Sequence, residues 1–165
     1  MKLLVNGVWH SDYQLLEGEQ IQTGSFRDVI SADSASRFQP ERDRYHLYVS
    51  FACPFAHRTI LARQLKRLES VISMSVLSPD WGNPNGWIFG NWDNTTPDTV
   101  NGCDYLHQLY VKAKPDFTGR VTVPVLWDKK TGTIVNNESA DILRMLATEF
   151  DAFADASLDL YIPKN

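Results

Sequence analysis

From Tyr45 to Leu77 the chain alternates strand-length, helix-length and strand-length apolar patterns, and that order leaves few folds open. Tyr45-His46-Leu47-Tyr48-Val49-Ser50-Phe51 is a β-branched and aromatic run of strand length. Ile60, Leu61, Leu65 and Leu68 then recur at helical spacing, with Arg63, Lys66 and Arg67 expected on the other face. Val71-Ile72-Ser73-Met74-Ser75-Val76-Leu77 is strand-like again. Strand 45–51, helix 54–68 and strand 71–77 form a βαβ unit, which makes the two strands parallel.

The order continues beyond this unit. Residues 78–102 hold three Pro, four Gly and three Trp without a helical or strand period, and so long a loop inside a compact domain is usually functional. A helix is expected near 103–113, with Tyr105, Leu106, Leu109 and Tyr110 on one face. Arg120 to Trp127 is expected as a strand, Asp128-Lys129-Lys130-Thr131-Gly132 as a hairpin turn, and Thr133-Ile134-Val135 as the neighbouring strand. The final helix, 139–150, carries Ile142, Leu143, Leu146, Ala147 and Phe150 on one stripe. The domain is thus an α/β unit of order β-α-β, α, β-β-α over 45–150. Residues 1–44, rich in turns at Asn6-Gly7, Gly18 and Gly24, are expected as an irregular arm, and 151–165 as a short acidic tail.

Composition limits the function classes. A length of 165 residues supports one domain with a real core. A net charge of −4 argues against a nucleic-acid partner, because phosphate binding needs a basic surface. No run approaches the roughly 18 apolar residues of a membrane span, and Lys2-Leu3-Leu4-Val5 is too short for a signal-peptide core. The expected address is the cytoplasm, where the two cysteines are thiols. A disulfide between Cys53 and Cys103 is not decided by spacing, but that compartment argues against it. No metal is expected: Cys53 and His57 give one pair of ligands, and a structural zinc needs four.

Cys53 stands where the first strand hands over to the first helix. Pro54 suits the first helical position, where its missing N–H costs nothing. Cys53 is then the N-cap, with the free backbone N–H groups of Phe55 and Ala56 expected at its sulfur. Negative charge there gains roughly 0.3–1 kcal/mol from the helix dipole, so the sulfur is expected as a nucleophilic thiolate. An arbitrary cysteine is more often core filler, but an N-cap locked by proline is a poor place for one. Cys53 opens a C-x-x-A, so it has no resolving cysteine one turn away and needs an outside thiol to complete a redox cycle.

Two further features point to a peptide pocket. Pro124 lies in an apolar strand, where proline removes a ladder bond. Either the strand is an edge with a trans proline, or a cis Val123–Pro124 bond turns the Val123 backbone outward to pair with an extended peptide. Asn136-Asn137-Glu138-Ser139 opens the last helix, with Ser139 as a suitable N-cap. That helix start can receive a carboxylate, and Glu138 can accept from an ammonium; simple capping is the plainer role for both.

Together these stretches resemble the thioredoxin-fold half of a glutathione transferase, and more narrowly the xi class, the glutathionyl-hydroquinone reductases. The resemblance rests on Asp43 to Ser50, Ala52-Cys53-Pro54-Phe55-Ala56-His57-Arg58-Thr59, Asn85-Gly86-Trp87, Gly119 to Asp128 and Asn137-Glu138-Ser139-Ala140. Asn6-Gly7-Val8-Trp9 and Phe26-Arg27 resemble the family's N-terminal extension. The resemblance implies glutathione as co-substrate and glutathionylated quinols as partners, with a homodimer left open. It implies Cys53 as catalytic nucleophile, Trp87 along the glutathione, and Arg120 at its charged end. Val123, beside Pro124, would pair with its cysteinyl backbone, and Glu138 and Ser139 would hold its γ-glutamyl group. His57 and Arg58 match the motif without an assigned chemistry. Phe55 stands where the family usually has Trp. The family continues into a helical second domain that forms the quinone side of the site, and this chain is expected to stop where that domain begins, with Tyr161 in the tail. The rival readings are a general glutaredoxin-like thiol transferase and a truncated, non-catalytic binding fragment.

Overall fold

The computed structural model describes residues 1–21, 26–78, 82–90 and 92–160. The turn at Gly24 and the end of the chain with Tyr161 lie outside the described residues.

The domain is thioredoxin-like, with a mixed four-stranded sheet in the order β4-β3-β5-β6. Strand β3 (Tyr45–Val49) pairs parallel with β4 (Ser73–Val76) through α1 (Pro54–Leu65), the expected βαβ unit. On its other side β3 pairs antiparallel with β5 (Val125–Asp128), with Tyr48 opposite Val125 and Tyr45 opposite Asp128. β5 turns through a hairpin into β6 (Thr133–Asn136), and α2 (Leu106–Ala113) and α3 (Ser139–Thr148) complete the domain. All five residues of β3 are buried, as a strand flanked on both sides requires.

The arm is less irregular than expected. Leu3–Val5 (β1) and Val8–His10 (β2) form an antiparallel hairpin, with Asn6 at φ 48° and Gly7 at φ 77°. Positive φ at both central residues is what a tight two-residue hairpin demands, and Asn-Gly meets that demand best. Gly7 is also held by space, because a Cβ there would overlap the Pro115 carbonyl oxygen. Reciprocal hydrogen bonds between Leu4 and Gly119, at 3.0 and 2.9 Å, fasten the hairpin to the domain.

Helix α1 also differs from its expected pattern. It buries Ala56, Thr59 and Ala62, while Leu61 and Leu65 are 43% and 49% exposed. Small residues let α1 lie close to α3, its main partner, so the leucines are turned outward. The helix stops at Leu65, because Arg67 takes φ 54°, and Leu68 re-enters the core from the turn that follows. Lys66, expected on the polar face, is 2% exposed. Its ammonium donates to Asp151 Oδ1 at 2.8 Å and to the Leu158 carbonyl at 3.1 Å, drawing the segment after α3 back onto α1. In contrast to the outward leucines of α1, Leu106, Leu109 and Tyr110 of α2 are all buried.

Two buried polar clusters hold the sheet. Arg44 grips Asp128 through both carboxylate oxygens, at 2.9 and 2.8 Å, with side chains 5% and 0% exposed. Burial alone would raise the Asp128 carboxyl, but hydrogen bonds from Arg44, Thr131 and the Lys130 N–H hold it below its ordinary value. His46, 1% exposed, bonds Ser73 Oγ at 2.7 Å and Ser75 Oγ at 2.9 Å, one hydroxyl for each ring nitrogen. Burial pushes its imidazole down to about 4.

A histidine held neutral in the fold binds a proton more readily once unfolded, so its contribution is present above its unfolded value, near 6.5, and is lost as pH falls toward 4. The stability advantage of the protein over a His46→Gln variant should therefore shrink by about 3 kcal/mol between pH 7 and pH 4. Parallel urea titrations at the two pH values measure this; a pH-independent difference would mean that His46 is not held neutral.

Candidate active site

The end of the sheet where β3 and β6 finish and β5 begins carries a cavity of about 410 Å³. Its walls come from Cys53 and Phe55 at the start of α1, Trp87 from the long loop, Thr122, Val123 and Pro124 before β5, and Glu138 and Ser139 at the start of α3. Six of the seven residues singled out in the sequence thus meet in one cavity. The seventh, Arg120, lines an adjoining cavity that shares Trp87, Val121 and Thr122 with the first.

Cys53 is the N-cap of α1, with φ −99° and ψ 114°, and Pro54 holds the first helical turn. The residue is 9% exposed, and its sulfur is not paired with Cys103. The expected hydrogen bonds from the Phe55 and Ala56 N–H groups to the sulfur are not made. With its proton in place the thiol is a donor, and it donates to the Val123 carbonyl 3.7 Å away. His57, one helical turn on, turns its side chain to solvent.

The Val123–Pro124 bond is cis, one of the two arrangements the sequence allows. Strand β5 starts only at Val125, so Pro124 precedes the ladder and removes no bond from it, a correction to a strand running from Arg120. The Val123 carbonyl faces Cys53, and no described residue accepts from the Val123 N–H. A free N–H and a carbonyl on one residue are what a strand-like peptide ligand uses.

Glu138, and not Ser139, caps α3. Its carboxylate accepts from the Ala140 N–H at 3.3 Å, and its own N–H donates to Asn136 Oδ1 at 2.7 Å. Glutamate takes the cap because its longer side chain folds back over the helix start, which makes Ser139 the first helical residue. The Ser139 hydroxyl, 3% exposed as a residue, donates to Glu138 Oε1 at 3.4 Å and accepts from Arg58 Nη1 at 3.4 Å. Arg58 also lies over the Phe55 ring, 5.4 Å from its centroid, and so links the two helix starts.

Tyr110 and Asn137 carry a support that sequence reasoning missed. The Tyr110 hydroxyl donates to the Thr122 carbonyl at 2.9 Å and accepts from the Asn137 amide at 3.1 Å and the Thr122 N–H at 3.3 Å. One buried phenol therefore ties the segment before Pro124 to the segment before Glu138, and burial pushes that phenol up from its ordinary value. In sequence Tyr110 is only one more aromatic on a helix face, and nothing local marks its hydroxyl. Among the described residues no group of three or more His, Cys, Asp or Glu side chains is placed to hold a metal, and no helix is long and apolar enough to cross a membrane.

Comparison with known proteins places this geometry. Residues 52–149 match the family model for the glutathione S-transferase N-terminal domain. The glutathionyl-hydroquinone reductase YqjG of Escherichia coli is 48% identical over 99% of this chain and 53% of its own length. The xi-class glutathione transferase of Natrialba magadii superposes with a TM-score of 0.88 at 52% identity, over 98% of this chain and 49% of that one. A glutathione-bound structure of YqjG superposes with a TM-score of 0.81 over 93% of this chain and 47% of that one. The chain spans about half the length of these relatives. It belongs to the glutathione S-transferase family through its N-terminal thioredoxin-like domain, and it is a homologue of the N-terminal part of the xi-class glutathionyl-hydroquinone reductases.

Proposed function

We propose that this chain binds glutathione in the Cys53 cavity and carries out thiol transfer there, reducing S-glutathionyl hydroquinones. The observation that carries the reading is the placement of the Cys53 sulfur 3.7 Å from the Val123 carbonyl, in a cavity that Glu138 and Ser139 also line. Glutathione laid across it pairs its cysteinyl backbone with Val123, which brings its sulfur to Cys53. Its γ-glutamyl ammonium meets the Glu138 carboxylate, and the neighbouring carboxylate meets the Ser139 hydroxyl at the start of α3. Trp87 lies along the peptide, and its glycyl carboxylate reaches toward Arg120.

The chemistry follows from that placement. The Cys53 thiolate attacks the glutathione sulfur of a glutathionyl hydroquinone. The bond from that sulfur to the ring breaks, the ring carbon takes the electron pair and a proton, and Cys53 is left as a mixed disulfide with glutathione. A second glutathione thiolate attacks that disulfide at the glutathione sulfur, releasing oxidised glutathione and restoring Cys53.

The two cysteines separate the reading from its rivals. Burial, with the Asp98 charge beside it, pushes the Cys103 thiol up to about 11, so Cys103 is almost wholly protonated at neutral pH. Oxidised glutathione should add one glutathione to the folded protein, at Cys53 alone, and reduced glutathione should remove it. Mass spectrometry of the intact chain and of Cys53→Ser reads both steps. No adduct on folded protein would favour the non-catalytic fragment. Hydroquinone release from a glutathionyl hydroquinone should accompany the same adduct, and release without it would move the chemistry away from Cys53.

Glu138→Gln offers a second test. Glutamine keeps an acceptor for the Ala140 N–H, so the cap survives and the melting temperature should stay within a few degrees. The ammonium loses its anionic partner, worth roughly 1.5–3 kcal/mol for a charge-assisted hydrogen bond, so the Kd for glutathione should rise about tenfold or more. Calorimetric titration measures it; unchanged affinity would remove Glu138 from the site.

A further inference from the structure

The cavity adjoining the Cys53 site, about 350 Å³, is large for the end of a glycyl group and falls in the range of small-molecule pockets, roughly 300–1,000 Å³. It shares Trp87, Val121 and Thr122 with the Cys53 cavity, so the two are continuous. Its other walls are Arg120, Gly86 and Trp9 of the N-terminal hairpin, with Lys2 at the same cavity.

Trp9 is held in place by three neighbours. Its indole N–H donates to the Pro84 carbonyl at 3.0 Å. Its ring stacks on His107 at 4.7 Å and 11°, and His107 stacks in turn on Tyr105 at 5.4 Å and 8°. Gly86, at φ 75°, lies so close that a Cβ there would come within 3.1 Å of the indole. The hydrogen bonds between Leu4 and Gly119 set the hairpin beside Arg120, which brings an aromatic wall and an arginine to one cavity from distant parts of the chain. An indole fixed in this way loses little side-chain freedom when a ligand packs on it.

We infer that this cavity is a subsite for thiol peptides extended beyond glutathione, in which the glycyl carboxylate is joined by an amide bond to a further residue with an aromatic or large apolar side chain. The inference rests on the glutathione reading above, which leads the glycyl end to Arg120. The added residue advances the chain by roughly 3.3–3.6 Å, into the space between Trp9 and Trp87. Its side chain covers the Trp9 indole, and its terminal carboxylate keeps the cationic surroundings of Arg120 and Lys2. Lys2 is itself anchored on the Asn83 carbonyl, so its charge stays at this cavity.

Calorimetric titration of the whole chain, with all thiols kept reduced, compares glutathione with the tetrapeptide γ-Glu-Cys-Gly-Phe. The tetrapeptide should bind at least threefold more tightly. Trp9→Ala should abolish that difference and leave the affinity for glutathione within twofold. A tetrapeptide that binds no more tightly than glutathione overturns the subsite while the glutathione reading stands. Failure of both thiols to bind the folded chain overturns both. If Trp9→Ala does not fold, the indole N–H resonance of Trp9, assigned by its loss in Trp9→Phe, decides. It should shift with the tetrapeptide and stay in place with glutathione, and any other pattern overturns the subsite.

Discussion

The antiparallel pairing of β3 with β5 is the constraint on which everything at the site depends. With Tyr48 opposite Val125, the chain leaving β3 toward Cys53 and the chain entering β5 from Val123 emerge at the same end of the sheet. The hairpin then returns β6 to that end, where Leu126 faces Asn136 and Glu138 follows two residues later. Three segments far apart in sequence thus converge without any of them being long. A slip of one residue in the β3–β5 register would turn the inward side chains of a strand to the other face and move Val123 away from the sulfur.

Register alone does not hold loops, and here buried polar groups do so. The Tyr110 phenol bonds one loop at Thr122 and another at Asn137, and Asn137 is also tied to Phe26 of the arm through its backbone N–H, at 3.2 Å. Asp98 does similar work on the long loop, accepting from Tyr48 at 2.8 Å and from the N–H groups of Val100, Asn101 and Cys103. Each such group is costly to bury without partners, so satisfying it selects one loop conformation. At the opposite end of β3, the Arg44–Asp128 pair fixes the start of the strand against the end of β5.

What was legible in the sequence was local chemistry and the order of elements. The βαβ unit, the hairpin after β5 and the Cys53 N-cap all rest on periodicity or on residues with narrow conformational preferences. The outward face of α1 is not legible in the sequence, because hydrophobicity outweighs size in a helical pattern, whereas close packing on α3 selects Ala56, Thr59 and Ala62. The burial of Lys66 is hidden for a related reason, since it depends on an aspartate eighty-five residues away. The hairpin of the arm was visible as a turn at Asn6-Gly7 but not as a sheet, because strands of three residues carry too little alternation. Tyr110 and Asn137 were beyond reach, as their roles exist only once distant segments have met.

That last point has a kinetic side. The βαβ unit and the β5–β6 hairpin close over short stretches of chain, but the β3–β5 ladder joins residue 48 to residue 125. The entropy of closing a loop rises with its length and is spent before the contacts it permits are made. Non-local ladders of this kind are slow to form, and the contact between Cys53 and the carbonyl of Val123 depends on this one. The cavity beside the Cys53 sulfur thus exists only once residues 48 and 125 have met, and its shape rests on the longest closure in the four-stranded sheet.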